Sequence, residues 1–99
     1  MRQLIFTFLI VLIPVIAIAQ TAEEYNKSGG AKADLGDNKG AIQDYNKALE
    51  LDPNFAKAYN NRGNSKILLG QKESGCLDLS KAGELGYSDA YYTIKEYCQ

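Results

Sequence analysis

The chain has no histidine, so no side chain with an unperturbed pKa near neutrality is available for acid–base chemistry. Phosphate loops, dinucleotide fingerprints and clusters of metal ligands are missing as well. Adjacent carboxylates such as Glu23 and Glu24 do not face each other on a helix. The nearest approach to a calcium loop, Asp34 to Gly40, has glycine at a ligand position and lysine where glycine is required. The sequence therefore offers no catalytic site, no metal and no cofactor, and the expectation is a protein that is not an enzyme.

Charge of one sign is missing too. Removing residues 1–19 takes one base, Arg2, from eleven and leaves ten against twelve acids, with the signs interspersed. No concentrated basic face is present of the kind a nucleic-acid partner needs. Long apolar runs are limited to the start: Leu4 to Ile16 is apolar except for Thr7, and Ala17-Ile18-Ala19 precedes Gln20. This pattern predicts a secretory signal peptide over 1–19. The alternative, a transmembrane anchor, needs a span of roughly 20 apolar residues, longer than this run. No cysteine ends the run, which removes the acylated lipoprotein route. The expected location is the periplasm or cell envelope of a bacterium, with the membrane involved only before cleavage.

What the sequence does have is a period. Shifted by 34 residues, Ala22, Tyr25, Asn26, Gly29, Lys32, Leu35 and Gly36 fall on Ala56, Tyr59, Asn60, Gly63, Lys66, Leu69 and Gly70. Asp44, Lys47, Ala48, Glu50 and Leu51 likewise fall on Asp78, Lys81, Ala82, Glu84 and Leu85. Such a period marks a helical solenoid, here with repeats at 22–55 and 56–89. Apolar spacing predicts helices over about 20–35, 38–50, 55–69 and 71–85, and a fifth from Asp89 to Tyr97. Asp37, Asn54 and Ser88 are the expected N-caps. Tyr25, Leu35, Ile42, Tyr45 and Leu49 are the expected core, with Gly29, Ala41 and Ala48 allowing close helix approach.

These residues resemble the tetratricopeptide repeat family, whose units are antiparallel helix pairs of 34 residues. Repeat one carries the family's pattern at Tyr25, Gly29, Ala41, Tyr45, Ala48 and Pro53, and repeat two at Tyr59, Gly63, Gly75, Leu79 and Ala82. Position eleven departs from it, being Lys32 and Lys66. Repeat two has no closing proline; its ending, Lys81 to Ala90 around Gly86, is similar to Sel1-like repeats. The resemblance implies an all-α helical-hairpin solenoid over 20–99, two repeats with a capping helix at 89–98. It also implies a concave groove, formed by the first helix of each repeat, that binds a peptide or protein segment. Carried over by position, the groove holds Glu23, Asn26, Lys27 and Gly30, then Lys57, Asn60, Asn61 and Asn64. Asn61 matches one asparagine of the set with which some members grip a C-terminal carboxylate. Asn26 and Gly30 replace others, and a third repeat is absent.

Asn60, Asn61 and Asn64 share a face suited to bonding a peptide backbone through their amides; the alternative is a merely solvated face. The protein reads as an interaction adaptor, and the competing reading is a structural unit that self-associates or stacks on another solenoid. In an oxidising compartment, Cys76 and Cys98, about ten residues either side of the Gly86 to Ser88 turn, are expected to meet in a disulfide. The alternative is two unpaired thiols.

Overall fold

The computed structural model describes residues 20–99. The signal-peptide reading of 1–19 lies outside the described residues. Five helices follow in order: α1 (Ala22–Asp34), α2 (Asn38–Leu51), α3 (Ala56–Leu68), α4 (Lys72–Glu84) and α5 (Ala90–Tyr97). Each packs on the next, and α1 also touches α3. The architecture is an all-helical solenoid of two helical hairpins closed by a short C-terminal helix.

Helix ends follow local chemistry. Gly36 and Gly70 take φ of +83° and +85°, a conformation that costs glycine little. At each, the glycine N–H donates to the carbonyl three residues back and the next N–H to the carbonyl five back (Ala33 and Lys32; Ile67 and Lys66), which satisfies carbonyls left open at the helix end. α4 ends the same way at Gly86, with Gly86 N–H on Gly83 and Tyr87 N–H on Ala82. α2 instead ends at Asp52, before Pro53. The missing proline of the second hairpin is thus replaced by a glycine stop.

Caps match expectation at one of three places. Asp37 accepts from the Gly40 N–H at 2.9 Å. Asn54 does not cap α3: its own N–H donates to Asp52 Oδ1, and Phe55 occupies the cap position with no side-chain bond. Asp89 rather than Ser88 precedes α5, also without one. α1 has a cap that the sequence reading omits, Thr21 Oγ1 accepting from Glu24 N–H.

Two apolar clusters make the core. Ala48, Leu49 and Ala58 gather Ala22, Tyr25, Phe55 and Tyr59 around them. Leu79, Ala82 and Ala90 gather Tyr59, Ile67, Tyr87, Ile94 and Cys98. Tyr59 touches both and ties the hairpins together. Tyr45 lies against Gly29, where any Cβ would meet its ring. Gly63 and Gly75 bring α3 and α4 so close that a Cβ on either would run into the other's carbonyl oxygen. Leu35 corrects the expected core: it is 87% exposed, because the chain has already turned toward Gly36. Ile42 is only half-buried.

Candidate functional site

The first helix of each hairpin, α1 and α3, together with α5, forms a row of neighbours on one side of the solenoid. Two hollows lie along it. The one between α1 and α3, about 180 Å³, is lined by Gly30, Ala33, Asp34, Asn38, Tyr45, Asn61, Asn64, Ser65 and Leu68. The one between α3 and α5, about 310 Å³, is lined by Asn64, Ile67, Leu68, Thr93 and Tyr97. Asn64 and Leu68 border both, so one edge of α3 is the ridge between two adjoining pockets.

The groove residues expected from sequence divide into three groups. Gly30, Asn61 and Asn64 line the trough. Glu23, Lys27 and Lys57 are exposed and border neither hollow. Asn26 and Asn60 require correction, since they are buried, at 6% and 8% exposure, rather than open to a ligand. Asn26 Oδ1 accepts from Asn61 Nδ2 at 3.0 Å, so these two amides bind each other across the seam between α1 and α3. Asn60 Oδ1 is buried without a hydrogen-bond donor. The three asparagines do not form one open face. Asn64 is the one left to serve a ligand with its whole amide, while Asn61 has one donor already engaged.

Sequence reasoning missed Asp34, Asn38, Leu68, Thr93 and Tyr97 as trough residues. Leu68 is 73% exposed. Its position in the last turn of α3 was visible in the sequence; its exposure was not.

Beneath the trough, each hairpin is clasped by one carboxylate of its second helix. Asp44 accepts from Ser28 Oγ at 2.7 Å and pairs with Lys32 at 3.0 Å. Asp78 accepts from Arg62 Nε at 2.7 Å and Nη2 at 2.8 Å and pairs with Lys66 at 2.9 Å. The partners stand at equivalent places in the two repeats, one helical turn apart, and the signal was present as the paired identities Lys32/Lys66 and Asp44/Asp78. Burial pushes the Asp44 carboxyl up, but the Ser28 hydroxyl and the Lys32 ammonium outweigh it and hold it below the ordinary carboxylate value. Bonding to Asp78 raises Arg62 above its usual value against the opposing effect of burial. Arg62 also donates through Nη1 to Asn46 and lies 5.5 Å from the Tyr59 ring centroid. Lys32 and Lys66, at the repeat position that departs from the resembled pattern, are therefore structural and occupied.

At the end of the row, Cys76 in α4 and Cys98 after α5 are joined, Sγ to Sγ at 2.08 Å with Cα atoms 5.8 Å apart. The bond fastens α5, whose Thr93 and Tyr97 form one wall of the larger hollow. No group of metal-ligating side chains occurs among the described residues.

No curated protein matches the chain. Residues 29–70, from the middle of α1 through α2 and α3 to Gly70, are similar to the family model described as a TPR repeat, and this segment holds the residues that line the smaller hollow.

Proposed function

We propose that the protein is a non-catalytic adaptor that holds an extended segment of a partner protein in the trough across α1, α3 and α5. The observation that carries this reading is the pair of adjoining hollows sharing Asn64 and Leu68. An exposed leucine beside a free carboxamide offers apolar contact and backbone hydrogen bonding at one place, which is what an extended segment needs. Export through residues 1–19 puts the partner in the bacterial envelope, and the Sel1-like ending of the second repeat serves as the terminal unit. A pull-down from the envelope fraction identifies the partner. Titration of its segment into the 15N-labelled protein then tests the site: signals of Asn64, Leu68 and Tyr97 move, and their silence while others move removes the trough reading.

A second reading, assembly, draws on α5. It stands where the first helix of a third hairpin would stand, packs on α4 and leaves Tyr92 76% exposed. Light scattering over a concentration series separates the two, since an adaptor stays monomeric and an assembly unit grows.

A further inference from the structure

The two hollows differ in chemistry. The α3/α5 hollow is walled by Ile67, Leu68, Thr93 and Tyr97, mostly apolar side chains. The α1/α3 hollow carries Asp34, the last residue of α1, exposed and making no ion pair among the described residues. Lys32, the nearest base along the helix, is turned to Asp44 instead. A carboxylate at a helix C-terminus adds to the negative end of the helix dipole and gains most from a cation placed against it. The same hollow is lined by Asn38, whose Oδ1 is an acceptor with no donor. The field is felt nearby, because after burial itself Asp34 is the next cause that pushes the Tyr45 phenol up. Lys27 and Lys57, which make no ion pair among the described residues, border neither hollow.

Resting on the trough reading above, we infer that the bound segment is basic: a lysine or arginine side chain enters the α1/α3 hollow beside Asp34, while an apolar side chain fills the α3/α5 hollow. Neighbouring packed helices lie about 8–10 Å apart, and an extended chain advances about 3.3 Å per residue, so the basic and apolar residues stand about three positions apart. An acidic segment, drawn by Lys57, would run against Asp34.

The test uses the oxidised 15N-labelled protein and the probe acetyl-Arg-Gly-Gly-Phe-amide, with analogues carrying glutamine or glutamate for arginine, or glycine for phenylalanine. The arginine peptide shifts the backbone signals of Asp34 and Asn38 and the side-chain amide of Asn64 in a saturable way. Glutamine in its place weakens binding roughly three- to tenfold, the range for an ion pair between exposed and partly desolvated. In Asp34→Asn, whose site is exposed so that folding is kept, the arginine and glutamine peptides bind alike. A glutamate peptide that binds as well as arginine, or an arginine preference that survives in Asp34→Asn, overturns the basic-segment inference. In that case, phenylalanine-dependent shifts at Ile67 and Tyr97 leave the trough reading standing. If no peptide moves trough signals at millimolar concentration, both fall together.

Discussion

Arg62 meets Asp78 with two parallel hydrogen bonds, Nε to Oδ2 at 2.7 Å and Nη2 to Oδ1 at 2.8 Å, across the α3/α4 hairpin. Both side chains are largely buried, 19% and 9% exposed, and a fork of this geometry is among the stronger polar contacts available to a protein. Replacing Asp78 by alanine strands two buried bases, Arg62 and Lys66, and is expected to cost about 2–4 kcal/mol. Asp44→Ala costs less, because its lysine partner is 42% exposed and solvent screens the pair. Urea denaturation of the two variants checks the order, and equal losses contradict it.

Acid should act through Asp44. Its folded pKa lies below the value in the unfolded chain, so its contribution is fully present above the unfolded pKa, roughly 4, and is lost as pH falls through the lower folded value. Asp44→Asn removes this dependence. The melting-temperature gap between wild type and Asp44→Asn is therefore expected to shrink below about pH 4; a gap constant down to pH 2 rejects this assignment.

The disulfide holds a helix too short to hold itself. α5 has eight residues, fewer than the roughly 12–15 that an isolated helix needs in water, and Ala90 is its only buried residue. Closing the loop between Cys76 and Cys98, 22 apart in sequence, contributes about 3 kcal/mol on the chain-entropy view. Reductant, or Cys98→Ser, should lower the melting temperature and release α5, seen as lost helical signals for Ala90 to Tyr97. Thiol labelling of unreduced, denatured protein that finds two free cysteines refutes the bond.

Asn61 and Asn64 respond differently to truncation. Asn61→Ala leaves the buried Oδ1 of Asn26 without its donor and is expected to cost about 1–3 kcal/mol of stability. Asn64→Ala has no such partner to strand and should leave the melting temperature nearly unchanged while weakening a trough ligand several-fold, one neutral hydrogen bond being about 0.5–1.5 kcal/mol. Affinity itself is expected in the micromolar range or weaker. Unchanged binding in Asn64→Ala, with loss in Tyr92→Ala, moves the contact to the outer face of α5.

Export is a separate prediction on residues 1–19. The Ala17-Ile18-Ala19 pattern predicts a mature chain beginning at Gln20. The intact mass of exported protein decides it, and a chain that keeps Met1 and pellets with membranes is anchored instead.

Local chemistry in the sequence determined the elements. Leu35-Gly36 and Leu69-Gly70 end their helices because glycine alone takes the left-handed turn cheaply, and the 34-residue period required two like hairpins that bury one face on each other. Cys76 and Cys98 were legible for the same reason, since equal distances from one turn in antiparallel helices bring residues level. What only the tertiary structure decided is how each helix is rotated about its own axis once packed. That rotation put Asn26 and Asn60 inside the seam instead of on its open side, turned Lys32 and Lys66 onto Asp44 and Asp78, and left Leu68 exposed beside Asn64. Periodicity names the residues that share a helix face, but which face meets which neighbour depends on close approaches such as Gly63 against Gly75, and those exist only when helices distant in sequence have come together.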